Sequence, residues 1–426
     1  MSNCEPEQIL ELAQKSGASE AEVYQVSAQS QPVYFEGNRL KQVETSESFG
    51  YALRLWKEGR PGLAVAYGKV DAEILIEKAL ALSKLNPPET PELVTQRREI
   101  HPPQGKLIPC ETLVNMGREA IALLRQKYPE TICVAELESE LETTTLVNSK
   151  GLYCQYSTIE NSCLLGIEWI RGEDFLAIYD GEEKEQELDL FEIIDKISRR
   201  LEWAKTNVEP YSGKQPVLFT PDAGGLLWGS VSAALNSKRV LEKSSPWSEK
   251  LGEIVVSPML TFAQLVHGVT CPFDDEGTPT QDLALIEKGI LKGFYSDRTR
   301  AKALNQDSTG NGFRPSLGHY PTPELVNLSL EPGSAGFSDL IAQIEDGIIV
   351  DQILGGGPDI SGDFSINLDL GYRVHRGEII GRVKDTMVAG NVYDVLKQVI
   401  ALGNDINPDD FYRTPSVLVE GLSVVS

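Results

Sequence analysis

Runs of alternating apolar and polar residues, cut again and again by turn residues, set the strongest constraint on this chain. From Glu22 to Tyr67 the period is two. Val33-Tyr34-Phe35 leads into Gly37-Asn38, then Leu40 and Val43 follow. Tyr51-Ala52-Leu53-Arg54-Leu55-Trp56 and Leu63-Ala64-Val65-Ala66-Tyr67 flank Glu58-Gly59-Arg60-Pro61-Gly62. Residues two apart share one face of a strand, so this pattern predicts an antiparallel meander. Further strands are predicted at Thr131–Leu137, Leu141–Val147, Leu152–Ile159 and Cys163–Ile170, with breaks such as Asn148-Ser149-Lys150-Gly151. Their Thr- and Ser-rich alternation indicates a sheet with one solvated face. The second half is glycine-rich with short strands at Val217–Phe219, Ile290–Leu291, Val326–Leu328, Ile348–Val350, Phe364–Leu368 and Val417–Val419.

Helical spacing interrupts these runs. Residues 5–16 carry Ile9, Leu10, Leu12 and Ala13 ahead of Gly17. Asp71 caps a helix through Leu85 that presents Ile74, Leu75, Ala79 and Leu82 on one face. Helices are also predicted at Glu111–Tyr128, Phe191–Ala204, from Pro221 to about Asn236, and at Val392–Ala401. Residues 86–110 hold six prolines and predict a long crossing connection. Glu209-Pro210-Tyr211-Ser212-Gly213 is the best boundary. The expected fold is α+β. An N-terminal domain, 1–210, has antiparallel sheets and flanking helices; a β-rich C-terminal domain, 211–426, has an embedded helix.

Charge narrows the partners. The sequence has 39 Lys+Arg against 63 Asp+Glu, a net −24, so it lacks the basic footprint that nucleic acid or an anionic membrane requires. No run reaches the roughly 18 apolar residues of a membrane span. The first seven residues lack the basic start and apolar run of a signal peptide. The six cysteines have no C-x-x-C spacing, and reduced, mostly buried thiols in a cytoplasm are expected.

Several clusters could carry chemistry. Asp274, Asp275 and Glu276, before Gly277, could ligate a hard cation, but alternation would spread them, and a charged turn between strands is the plainer reading. Ser308-Thr309-Gly310-Asn311-Gly312-Phe313-Arg314 could offer N–H groups and one guanidinium to an anion. Gly355-Gly356-Gly357-Pro358 and Ser361-Gly362-Asp363-Phe364-Ser365 let another backbone approach. His101, His267, His319 and His375 show no zinc-helix spacing, and neither Ser230 nor Cys271 stands in a nucleophile motif.

Together, Pro272-Phe273-Asp274-Asp275-Glu276-Gly277-Thr278-Pro279-Thr280, Ser308-Thr309-Gly310-Asn311, Ser361-Gly362-Asp363-Phe364-Ser365, Ala389-Gly390-Asn391 and the meander at Gly50-Tyr51-Ala52-Leu53-Arg54 resemble the TldD/PmbA family over nearly the whole chain. That family, once called modulators of DNA gyrase, is classed among metallopeptidases. Its TldD-type members carry H-E-x-x-x-H on a helix and a cysteine near the C-terminus. Here Trp228, Gly229 and Ala233 stand at the corresponding positions, and no cysteine follows Cys271. The resemblance therefore implies a TldE/PmbA-like chain that binds no zinc and has no catalytic residue. Zinc would sit in a TldD-type paralogue, with which this chain would form a heterodimer that degrades or processes unfolded peptides. Activity alone is not expected; a homodimer is the alternative assembly when the paralogue is absent, and the sequence does not decide between the two. Asp274, Asp275, Glu276, Gly277, Ser308, Thr309, Gly310, Asn311, Arg314, Gly362, Asp363, Phe364, Ser365, Gly390 and Asn391 are the candidates for substrate or interface contacts. The alternative is a non-catalytic binding protein that modulates gyrase or a toxin–antitoxin system.

Overall fold

The computed structural model describes residues 5–69, 71–269 and 271–425; Met1, Ser2, Asn3 and Cys4, on which the leader and one thiol expectation rest, lie outside them. The chain is α+β, as expected. The meander forms: Glu20–Ser30 pairs antiparallel with Ser46–Lys57, which turns into Arg60–Tyr67. That turn is Glu58-Gly59 alone, both at positive φ, so Pro61 lies within an edge strand and not in the turn. Gly37 and Asn38 likewise join Val33–Glu36 to Arg39–Val43.

The four expected strands between 131 and 170 are two. Ile132–Asn148 and Tyr153–Arg171 pair antiparallel along nearly their whole length. The predicted break at Glu138-Ser139-Glu140 does not interrupt the strand. Ser139 is buried because its hydroxyl donates to Asn161 Oδ1 (2.6 Å) and accepts from Ile108 N–H, so a polar residue fills a core position at the cost of no lost hydrogen bond. Ile132–Asn148 also pairs with Glu20–Ser30 and Val33–Glu36, which makes it the spine of a nine-stranded sheet. The Pro-rich connection contributes one short strand, Arg98–His101, parallel to Tyr153–Tyr156.

Helices Pro6–Lys15, Cys110–Lys127 and Leu190–Trp203 match expectation within a residue or two. Helix Ala72–Ser83 starts at Asp71, whose carboxylate accepts from the N–H of Glu73 and Ile74. Its buried face is rotated from the predicted one: Leu75, Ile76, Ala79 and Ser83 are covered, and Ile74 and Leu82 are exposed. The predicted helix from Val392 to Ala401 is one turn, Val392–Val395. β-branched Val399 and Ile400 instead enter a strand, Val399–Leu402, with Val399 opposite Val419.

In the second half, strand Gly213–Phe219 pairs parallel with Asp346–Leu354 and antiparallel with Val417–Val425. Asp346–Leu354 continues through Asp363–His375 and Met387–Asn391 back to Val417–Val425, so five strands close on themselves as a barrel. Alternation divides the barrel residues between two cores. Val217, Phe219, Ile348 and Val350 pack with Trp228 and Phe262 of the C-terminal half. Leu218, Ile349, Leu370 and Tyr372 pack with Cys133, Leu165 and Ile178 of the first sheet and Ile197 of helix Leu190–Trp203. One continuous apolar layer therefore joins the two halves of the sequence. Among the described residues no helix is long and apolar enough to cross a membrane.

Candidate functional site

The structure gathers the singled-out residues into two groups. The first is built on the acidic turn. Gly277, at φ +79, lets the chain fold back so that Asp274 N–H donates to Thr278 O and Gly277 N–H to Asp274 O. The cluster is a turn, as expected, and all three of its acids are buried. Each finds donors. Asp274 Oδ1 accepts from the N–H of Glu276 (3.0 Å) and Thr278 (2.8 Å), and Oδ2 from Gly312 N–H (2.8 Å). Asp275 Oδ2 accepts from Arg314 N–H (2.8 Å), and Glu276 Oε2 from Arg298 N–H (2.8 Å). The loop Ser308–Arg314 does present N–H groups to anions, but those anions are the chain's own carboxylates.

Glycine and asparagine seat that loop. Gly310 stands at φ +73, and a Cβ there would lie 2.0 Å from Pro279 O; one on Gly312 would lie 2.5 Å from Glu276 Oε2. Asn311 is fully buried, donates to Gln264 Oε1 and Glu324 O (both 2.7 Å), and its Oδ1 accepts from the Thr309 hydroxyl. Ser308 accepts from Gly310 N–H at 3.3 Å.

Arg314 ties this group to the meander, where Arg54 shares its acceptor. Arg314 Nη2 and Arg54 Nη2 both reach Glu22 Oε1, at 2.9 and 3.0 Å, with side-chain exposures of 2% for Arg314, 11% for Arg54 and 1% for Glu22. Glu22 Oε2, Arg54 Nε and Arg314 Nε are buried without a partner. Arg314 lies 5.1 Å from the centre of the Tyr24 ring, and Phe273 meets Tyr156 edge-on at 5.2 Å. Glu22, Arg54 and Tyr24 are residues that sequence reasoning missed. An acid and an arginine on the apolar face of an alternating strand pair, at register partners 22 and 54, were the available signal.

Burial dominates the electrostatics. It pushes Asp275 up to about 6, although Arg314 and the Tyr24 hydroxyl oppose the shift. Burial also takes Glu276 to about 7, with Asp297 and Glu22 adding repulsion, and raises Asp274 well above the carboxylate range, reinforced by Glu276. Cys271, beside Tyr156, is pushed up to about 12 by burial, which disfavours its thiolate.

The second group lies beside helix Pro221–Leu235. Asp363 pairs with Asn391 and Phe364 with Gly390 on adjacent barrel strands. Asn391 Nδ2 donates to Asp363 Oδ1 (2.8 Å) and Ser361 O. Gly362 abuts the Tyr393 ring, and Ser365 is exposed. Tyr393 OH donates to Ile360 O (2.9 Å). The helix starts at Thr220, whose hydroxyl accepts from Ala223 N–H. Trp228 is fully buried against Phe262, and its Nε1–H has no partner. Gly229 is exposed, and Ala233 half-buried. An indole N–H donates only, and glycine and alanine offer no side-chain lone pair, so these three cannot ligate zinc. Among the described residues no three His, Cys, Asp or Glu side chains converge as metal ligands. His101, His267 and His319 are exposed, and His375 sits 2.8 Å from Asp346.

A cleft of about 560 Å³ opens at the start of this helix. Pro221, Asp222, Asp410 and Tyr412 form one wall; Tyr34, Glu136, Glu138, Glu182 and Glu183 of the first sheet form the other. No motif marked these residues, because they come from five separated segments.

The PmbA/TldA metallopeptidase C-terminal domain matches residues 212–426, and domain 1 of the same metallopeptidases matches 21–83. The chain belongs to the PmbA/TldD family. Its fold is that of TldE from Thermococcus kodakarensis, with a TM-score of 0.90 at 24% identity over 99% of both chains. A metalloprotease PmbA homolog of Haemophilus influenzae is 24% identical over 97% of this chain and 94% of its own length. A metalloprotease TldD homolog of Buchnera aphidicola is 38% identical, but over 32% of this chain and 28% of its own length. The chain thus spans less than a third of that TldD relative, and nearly the whole of the PmbA one.

Proposed function

We propose that this chain is a PmbA/TldE-type subunit without zinc, which acts in peptide processing together with a TldD-type paralogue that carries H-E-x-x-x-H. The observation that carries the reading is the helix Pro221–Leu235. Its positions 228, 229 and 233 hold a buried indole, no side chain and a methyl group, none of which can bind a metal or move a proton. The near-complete coverage of the PmbA and TldE relatives supports the same assignment. In this reading the chain supplies walls and the paralogue the metal. The cleft at the helix start and the barrel strands around Gly362–Ser365 and Gly390-Asn391 form part of the substrate chamber. The acidic turn is structural: it fastens the barrel half to the meander. Purified alone, the chain should hold no stoichiometric zinc and cleave no unfolded peptide; mixed with the paralogue it should raise cleavage. Chelator-sensitive cleavage by the chain alone would overturn the proposal.

A further inference from the structure

A second groove lies on another part of the molecule. It has a volume of about 700 Å³ and runs between strand Arg39–Val43 and helix Cys110–Lys127. Phe35, Leu40, Ile121 and Ala122 line it with apolar surface, and Arg39, Arg118 and Arg125 with charge. All three arginines are exposed, and among the described residues none makes an ion pair or a side-chain hydrogen bond. They stand unpaired in a chain of net −24, in which acids outnumber bases 63 to 39. The nearby carboxylate of Glu36 is engaged by Lys41. Arg118, Ala122 and Arg125 follow helical spacing, so the helix offers one guanidinium at each end of this stripe.

The strand beside the groove is an edge. Among the described residues Arg39–Val43 pairs with Val33–Glu36 alone, and all five of its residues are exposed. An unpaired strand edge offers main-chain donors and acceptors to an added strand. Guanidiniums recognise carboxylates with charge-assisted hydrogen bonds. We propose that this groove docks an acidic polypeptide segment, extended along the free edge of Arg39–Val43, with its carboxylates on Arg118 and Arg125. Charge complementarity selects the occupant. At physiological salt, charges beyond about 8 Å are screened, so the local arginines outweigh the distant acids.

Fluorescence anisotropy with a labelled decapeptide of alternating Glu and Val tests this on the full chain. The peptide should bind, the Lys/Val counterpart should not, and R118A/R125A should weaken binding at least tenfold without lowering the melting temperature. R39A is the second variant should that pair fail to fold. Hydrogen exchange should slow at the amides of Arg39–Val43 when peptide is bound, and N-methylation of alternate peptide residues should abolish that protection. Equal binding of both peptides, or binding insensitive to the arginine variants, overturns the proposal. Displacement by inorganic phosphate well beyond that by chloride at equal ionic strength also overturns it, in favour of a phosphate site.

Discussion

Glu22 is the shared acceptor of two buried guanidiniums, and Glu22→Ala removes it from both. Arg314 and Arg54 then keep their charges in a site where their side chains are 2% and 11% exposed. Removing one partner of a buried pair typically costs about 3–5 kcal/mol, because the remaining charge stays desolvated. For cooperative unfolding, about 2.1 cal/mol/K per residue gives about 0.9 kcal/mol/K for this chain, so the melting temperature should fall by about 3–6 °C. Differential scanning calorimetry at pH 7.5 reads this directly. A cycle with Arg314→Met isolates the contact: Arg314→Met should cost less in the Glu22→Ala background than in the parent, since its partner is already gone. Limited proteolysis should cleave near residue 314 sooner in Glu22→Ala. A melting shift below 1 °C, or strictly additive single and double variants, would refute the idea that this network holds barrel and meander together.

The acidic turn also fixes a pH dependence. Asp275 and Glu276 are raised to about 6 and 7 in the folded chain, above their unfolded values, so the folded state binds more protons between about pH 4 and 7. Their contribution therefore favours folding at the acid end of that window and declines as pH rises through 7; Glu276→Gln should flatten the melting-temperature profile between pH 5.5 and 8, and an unchanged slope counts against the assignment. Gly310→Ala places a Cβ 2.0 Å from Pro279 O at a positive φ and should destabilise by about 2–5 kcal/mol in urea unfolding. Asn311→Ala leaves Glu324 O without its 2.7 Å donor, while Gln264 Oε1 keeps the N–H of Val326, and should cost about 1–3 kcal/mol by the same measurement.

Local pattern made much of this fold legible. Helix Cys110–Lys127 and the turn at Gly37-Asn38 follow from spacing and backbone preference alone. Barrel closure does not, because strand Gly213–Phe219 meets Val417–Val425 about two hundred residues later, and alternation is silent about such partners. The acidic turn was legible as a turn, but its partners were not, for the same reason. Asp274-Asp275-Glu276 looks solvated until Gly312, Arg314, Arg54 and Tyr24 arrive from elsewhere in the chain to satisfy it. Tertiary partners also decided the rotated face of Ala72–Ser83, where Ile76, rather than Ile74, faces the sheet.

The direct test of the proposed role is co-expression with the H-E-x-x-x-H paralogue, followed by zinc analysis and cleavage of an unfolded peptide. The account predicts a complex with zinc in the paralogue alone, chelator-sensitive cleavage by the complex, and none by this chain by itself. A stoichiometric zinc in this chain, or cleavage by the paralogue that the chain neither joins nor enhances, would contradict it.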